Sequence, residues 1–458
     1  GSGGRGFQGQ MDSVRARQLY VSTNPKDLPG ANFAQQIAQK NRTDSIWFAR
    51  FKGVLEVRKV TYASRADGLT IPAYVFAPLN KRGPNGHAAM IWVHQGIHAN
   101  WDESLLPFVK EAVADRGYVL ITPEYRGSTG FGEAFYNAQD YGGKEVVDAI
   151  SAMDFLRTLP YVDMARVGMM GWSHGGYITM LNATTPGHGL RAAASLVPVT
   201  DLFFRLSLKG PSYQQNFAAM KDVQALPFEN VEEYIKRSPQ YQIEKLDIPM
   251  LVHVSTNDLD VNFVEDQMMV WKLRALKPDL AETKIYVDPP GWGGTVGHAF
   301  DRRVDPVTLE RLDTPEQIDS WNRIWQFFNW WLRPSEDRSK PPAPVRVASA
   351  APAAASSAVS ADPGQPPLGS WVIQVGSFSD SRSAQLALDR ATTALPETAR
   401  SHSAITVDEV QMAQKTFHRA RLINLTQEEA VLGCRKLEQR KIYCSALQVT
   451  AWNTPGAR

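Results

Sequence analysis

Three residues in this chain have the types and spacing for nucleophilic chemistry: Ser173, Asp258 and His298. Ser173 lies in Gly171-Trp172-Ser173-His174-Gly175, a G-x-S-x-G pattern. The apolar run 167–170 precedes it and helix-forming residues 177–182 follow. That spacing predicts strand, sharp turn, helix, the setting that turns a serine hydroxyl away from a sheet. Gly171 and Gly175 are expected where strand and helix come too close for side chains. Asp258 stands just past an apolar run ending at Val254, and His298 in a Gly-rich loop further on. A serine hydroxyl is a poor nucleophile until a base takes its proton. An imidazole becomes that base when a carboxylate fixes its tautomer and steadies the imidazolium. Asp260 competes with Asp258 for the carboxylate role. Among the nine histidines, only His298 follows the last expected strand in a Gly-rich loop. The developing oxyanion requires two donors. The backbone N–H of His174 is the expected first, and that of Gln95 or Gly96, after the buried run 88–94, the second. His94 itself reads equally as a packed residue closing that strand.

Positioning these groups calls for an alternating chain of strands and helices. Two β-rich runs, 57–62 and 71–76, flank the turn 64–68 and predict a hairpin. Strands are then expected at 88–94, 118–122, 167–170, 192–197, 250–254 and 284–287. Helices are expected at 105–116 and 146–159, with a closing helix over 321–332. Continuous apolar strands separated by helices imply a mostly parallel sheet covered on both faces. A hairpin leading into a doubly wound sheet, with the order Ser, Asp, His, is the α/β-hydrolase arrangement, and triad loops belong at its C-terminal strand ends. Residues 201–246 interrupt the alternation and carry Phe203, Phe204, Tyr213, Phe217, Phe228, Tyr234 and Tyr241. They read as helical packing, as a cap walling the site, or as both.

Bulk properties bound the rest. At 458 residues the chain exceeds one ordinary core. Hydrophobic and charged contents of 43% and 21% are globular values. A net charge of +2 gives no field that argues for nucleic acid or an anionic membrane. No apolar run reaches the ~18 residues needed to span a bilayer. No ligand cluster implies a metal or an organic cofactor. The Gly-rich residues 1–10 read as a leader or a cloning scar, without the basic and apolar regions of a signal peptide. Residues 11–56 are a polar extension with one or two helices packed on the main domain, and 57–333 the hydrolase domain. Residues 334–369 are rich in Pro, Ala and Ser and lack an apolar period, which predicts a mobile tether. Residues 370–452 then follow the order βαββαβ, a small α+β ferredoxin-like domain. Thr426 and Glu429 make a capping box at its second helix. The two cysteines, Cys434 and Cys444, read by themselves as a disulfide, a metal pair or a coincidence, and nothing nearby completes a zinc site.

Two family resemblances sharpen these expectations. Residues 57–332 resemble the catalytic domain of the prolyl oligopeptidase family, particularly its acylaminoacyl-peptidase and dipeptidyl-peptidase branches. The matching blocks are Glu124-Tyr125-Arg126-Gly127-Ser128-Thr129-Gly130-Phe131-Gly132 with Ala134-Phe135, and Gly142-Gly143-Lys144-Glu145-Val146-Val147-Asp148-Ala149. The elbow through Tyr177, Glu233-Tyr234 with Ser238-Pro239, and the Asp258 and His298 loops also match. The resemblance implies Ser173 as nucleophile, His298 as general base and Asp258 as its orienting partner. There are departures. His-Gly-Gly-Pro becomes His94-Gln95-Gly96-Ile97, and His-Gly before the acid loop becomes His253-Val254. The family's β-propeller finds no counterpart in the 56 residues before Val57, so exopeptidase specificity does not carry over. A peptidase and a carboxylesterase with the same triad both remain open.

Residues 371–450 resemble a SPOR domain, a peptidoglycan-binding module. The residues that carry this are Trp371-Val372-Ile373-Gln374-Val375-Gly376-Ser377-Phe378 and Phe417-His418-Arg419-Ala420-Arg421, with Cys434 and Cys444 after them. The second helix and last strand of that fold are neighbours. The cysteines therefore read as a disulfide, implying an oxidising compartment such as the bacterial periplasm, or else as two buried thiols. The expectation is a periplasmic serine hydrolase acting on a peptide or ester and tethered to peptidoglycan. The alternative from another class is a wall-binding envelope protein whose hydrolase-like domain is a non-catalytic scaffold.

Overall fold

The structure, a computed structural model, describes residues 32–291, 296–340 and 370–448, except 379, 396–399, 401–402, 413–414, 441 and 443. The expected leader, most of the tether and residues 292–295 of the His298 loop lie outside the described residues. The chain divides into two compact units, 1–346 and 347–458.

In the first unit, helix α1 (Phe33–Phe51) leads into the hairpin β1 (Glu56–Ala63) and β2 (Thr70–Ala77). Then come β3 (His87–Val93), α2 (Leu106–Lys110), β4 (Val119–Pro123) and α3 (Lys144–Arg157). They are followed by β5 (Val162–Trp172), α4 (His174–Ala183) and β6 (Ala192–Leu196). The inserted helices are α5 (Leu202–Ala218) and α6 (Val231–Lys236). The unit ends with β7 (Met250–Ser255), α7 (Phe263–Leu276), β8 (Ala281–Tyr286) and α8 (Pro315–Leu332). One eight-stranded sheet runs β1-β2-β4-β3-β5-β6-β7-β8. β1, β2 and β4 pair antiparallel, and every pairing from β4 through β8 is parallel.

Alternation of side chains along the buried strands explains why both faces are covered. In β3, Ala89, Ile91 and Val93 face one core with α3, α4 and α7, while Ala88, Met90 and Trp92 face another with α1, α2 and α8. The N-terminal extension is thus part of this unit: Trp47 and Phe51 of α1 and the adjoining Leu55 lie in the second core. The stretch expected as one helix over 105–116 is a 3-10 turn, then α2, then a π turn at Glu111–Asp115. The tether also starts later than 334. Arg82 and Arg166 donate to the carbonyls of Pro334, Arg333 and Glu336, holding these residues to the unit.

The second unit comprises β9 (Trp371–Phe378), α9 (Ser381–Ala394), β10 (Ala404–Met412), β11 (Lys415–Leu425), α10 (Gln427–Gln439) and β12 (Ser445–Gln448). Its sheet runs β10-β11-β9-β12, with every pairing antiparallel. Ile373, Val375, Leu388, Leu422 and Leu437 form its core. Thr426 Oγ1 accepts from Glu429 N–H, and Glu429 Oε2 accepts from Thr426 N–H. Cys434 and Cys444 are joined as a disulfide with their Cα atoms 5.6 Å apart.

Candidate active site

β5 delivers the chain to the elbow and α4 carries it away. Between them Ser173 adopts φ 54°, ψ −120°, a region costing a non-glycine residue of order 1–3 kcal/mol. The surroundings hold it there. Ser173 N–H donates to Leu196 O at 2.9 Å, and its own carbonyl accepts from Tyr177 N–H at 2.9 Å. A Cβ on Gly175 would stand 2.3 Å from Val93 O and 2.7 Å from His94 O. The absence of a side chain at 175 is therefore what lets the elbow lie against the end of β3.

The loop after β7 supplies Asp258. Its Oδ1 accepts from the N–H groups of Asp260 (2.8 Å) and Val261 (2.9 Å), closing an Asx turn. Its Oδ2 is left for His298 Nδ1, at 2.7 Å. His298 sits in a 3-10 turn, Gly297–Ala299, tied to the same loop. Gly297 N–H donates to Asn257 O at 3.2 Å, and Ser255 Oγ donates to Gly297 O at 2.9 Å. Ser173, Asp258 and His298 are 7, 5 and 8% exposed, so all three are largely shielded from bulk water. With Nδ1–H committed to Asp258, His298 Nε2 is the basic nitrogen. The structure brings His298 and Asp258 into direct contact. Among the described residues, Ser173 makes no hydrogen bond to His298; such bonds often tighten only with substrate bound. Asp260, the competing carboxylate, lies on the other side of the ring, its Oδ2 3.6 Å from Nε2.

The segments that carry the expected oxyanion donors begin at the elbow and at the end of β3, which lies against it at Gly175. His174 opens α4, so its N–H has no acceptor within the helix. The segment carrying Gln95 and Gly96 follows β3 and is pinned by Tyr125, whose hydroxyl donates to Gly96 O at 2.7 Å and contacts His94 O at 3.2 Å. His94 does pack at the strand end. It stacks on Tyr125 at 4.2 Å and bonds Ser128 Oγ at 2.9 Å, and burial lowers its pKa.

Several groups at the site had no role assigned from the sequence. The His174 ring bonds Glu145 Oε1 at 2.6 Å, and burial raises the Glu145 pKa against the pull of His174. From α5, Lys209 Nζ reaches Asp260 Oδ1 at 2.9 Å and Arg205 lies 3.7 Å from Oδ2. Burial pulls the Asp260 carboxyl up, but Arg205, His298 and Lys209 override it and leave it at about 2. Behind them, burial pushes Glu265 up to about 7, opposed by Arg205 and by the N–H groups of Asp201 and Thr200. These residues line a cleft of about 210 Å³ beside Asp258. No sequence pattern joins α5 to this loop. The insertion thus walls the site with charge, while Phe203, Tyr213, Phe217 and Tyr234 pack on the core and Phe228 is exposed. Among the described residues, no cluster of three or more His, Cys, Asp or Glu side chains could hold a metal ion.

Comparison with known proteins bears on this geometry. The sequence pattern of the prolyl oligopeptidase family matches residues 106–301, which include Ser173, Asp258 and His298. The uncharacterized peptidase YtmA of Bacillus subtilis (strain 168) is 30% identical over 232 residues, 50% of this chain and 84% of that protein. The chain belongs to the prolyl oligopeptidase family of serine peptidases. Two further relatives align over more of this chain. The uncharacterized peptidase YuxL of B. subtilis is 25% identical over 338 residues, 69% of this chain and 49% of that protein. Dipeptidyl-peptidase 5 of Porphyromonas gingivalis is 27% identical over 317 residues, 62% of this chain and 43% of that protein. Against these longer relatives, the aligned part is about half their length or less.

Proposed function

We propose that this protein hydrolyses peptide amides through an acyl-enzyme on Ser173, and that its second unit tethers it to peptidoglycan in the periplasm. The observation that carries the catalytic half is the 2.7 Å bond between His298 Nδ1 and Asp258 Oδ2, made in the chain order Ser, Asp, His. As Ser173 Oγ attacks the substrate carbonyl carbon, His298 Nε2 takes its proton and Asp258 steadies the imidazolium. The carbonyl oxygen becomes an oxyanion facing the N–H of His174 and the N–H of Gln95 or Gly96. Its collapse expels the amine, which leaves with the proton from His298. A water molecule then repeats the sequence on the acyl-enzyme, with His298 again the base, and frees the acid and Ser173.

The wall-binding half is supported by the opening motif at Trp371–Phe378, the βαββαβ order with strands arranged β10-β11-β9-β12, and the Cys434–Cys444 disulfide, which suits an oxidising compartment. A module that binds the wall raises the enzyme's local concentration there.

Fluorophosphonate labelling together with hydrolysis of aminoacyl anilides and short acyl esters tests the catalytic half. Wild type should label and cleave anilides, and Ser173→Ala should do neither. Label on the Ala variant would overturn the assignment of the nucleophile. Ester turnover without anilide turnover would make the protein a carboxylesterase. A wild type inert to label and substrates would make the domain a scaffold.

A further inference from the structure

Arg302 follows His298 by four residues, and its side chain is only 7% exposed. Its guanidinium touches each segment that the proposed reaction requires to be aligned. Nη1 donates to Gln95 Oε1 at 2.7 Å, on the loop expected to provide the second oxyanion donor. Nη2 donates to the backbone carbonyl of His298 itself at 2.5 Å. The cation lies 5.4 Å from the ring centre of Trp172, the residue before Ser173. Trp172 is held in turn by its indole N–H donating to Asp301 Oδ2 at 2.9 Å. These contacts span 207 residues of sequence between Gln95 and Arg302.

We propose that Arg302 is a positioning residue that locks the Gln95 loop, and with it the second oxyanion donor, in register with the His298 loop and the elbow. The proposal rests on the catalytic reading of Ser173, Asp258 and His298. Guanidinium is planar, its donors sit in a fixed fork, and it has no acceptor. Two acceptors on different loops are therefore set at a fixed separation and in one plane. Because Arg302 only donates, the Gln95 carboxamide must present its oxygen to Arg302 and turn its NH2 away, which fixes the side chain and the backbone from which it springs. Neither Tyr125, which grips the carbonyls of His94 and Gly96, nor Asp258, which grips the imidazole, links the oxyanion side to the base side. Arg302 makes that link. Burying a cation is costly, and an apolar side chain of similar volume often stabilises such a place as well or better. Asp301 Oδ1, 3.6 Å from Nε, offsets part of that cost, and the planar fork adds the geometry it imposes on the two loops. Placement errors near 1 Å can cost about a hundredfold in rate.

The test uses the full chain with Arg302→Ala, Arg302→Lys, Gln95→Ala and the Arg302→Ala/Gln95→Ala double variant. Each is assayed on an activated ester and on its thionoester, whose sulfur accepts hydrogen bonds poorly. Losing one oxyanion donor typically lowers kcat by about 10²–10³, so a misplaced donor should cost about 10- to 100-fold with KM within about twofold. The ester rate should fall more than the thionoester rate, which general loosening of the fold would not produce. Arg302→Lys should not restore the rate, because an ammonium lacks the fork. Gln95→Ala and the double variant should be equally slow, and adding guanidinium ion should partly rescue Arg302→Ala. An unchanged ester-to-thionoester ratio in Gln95→Ala, which keeps the buried cation and tests the link even if Arg302→Ala does not fold, overturns the proposal. Additive losses in the double variant overturn it too. Hydrolysis that survives Ser173→Ala overturns the catalytic reading instead, a separate result.

Discussion

At the scale of single residues, this site depends on where side chains are missing as much as on where they are present. Gly297 is the sharpest case. A Cβ there would fall 2.0 Å from Asn257 Oδ1 and 2.5 Å from Ser255 Oγ, both on the segment at and just after the end of β7 that must meet the Gly297–Ala299 turn for His298 to reach Asp258. Gly297→Ala should therefore push the loops apart, lowering kcat at least tenfold and costing about 1–3 kcal/mol by overpacking. Gly68→Ala is the matched control. Gly68 has φ +78° with nothing within 4 Å of the added atom, so strain of about 1–2 kcal/mol is expected with unchanged kcat. Thermal unfolding and initial rates on both variants separate a site effect from a folding effect. Ser173, Asp258 and His298 are legible in the sequence because a nucleophile elbow and a triad order are local or ordinal signals. The Arg302–Gln95 and His174–Glu145 pairs are not, because nothing in the spacing says which distant partner a buried polar group will meet.

At the scale of elements, the strands are readable because parallel strands buried on both faces appear as unbroken apolar runs, as the all-buried β3 shows. Helix limits are less readable. The apolar residues 321–332 mark only the later part of α8, which begins at Pro315 behind a Thr314 cap and also buries the polar Gln317 and Ser320. The Pro at the first helical position was the available sign. The π turn at Glu111–Asp115 has no such sign, since apolar spacing does not reveal a widened turn. Helix α7 carries an electrostatic consequence. Glu265 titrates at about 7 when folded, against an ordinary carboxyl value of 4.5, because it is buried. The folded state thus holds a proton there that the unfolded state has released between those two values. Its stabilising contribution is complete below about pH 4.5 and disappears as pH rises through about 7. Glu265→Gln keeps an acceptor for Thr200 and Asp201 N–H, which meet Glu265 Oε1 at 2.6 and 2.9 Å, and does not titrate. The variant should gain on wild type in melting temperature from about pH 5 to 7 and hold a constant lead above. A lead independent of pH would contradict this.

At the scale of the whole molecule, composition alone separates the parts. A stretch rich in Pro, Ala and Ser lies between two runs of periodic sequence, and those two runs fall in separate compact units. The packing of α1 on the first unit is expected from the sequence, but the unit also holds residues 334–336, assigned to the tether from composition, through bonds from Arg82 and Arg166 that no local pattern announces. The proposed division of labour predicts that the full chain co-sediments with isolated peptidoglycan sacculi. A chain ending at residue 346 should stay in the supernatant and keep its hydrolytic rate on soluble substrates. Equal sedimentation of the two would remove the wall-binding role from the second unit. The first unit has one more property that follows from its packing. Trp92 lies within 5.3–5.9 Å, ring centre to ring centre, of Trp101, Trp172 and Trp321, and Trp321 lies 5.2 Å from Trp325. Indoles this close exchange excitation energy, so a change around any one ring can alter the emission of the others. One of these rings, Trp172, is the neighbour of Ser173, so the molecule carries its own optical reporter. The proposed acylation of Ser173 should therefore register as a change in intrinsic fluorescence, read without any attached dye.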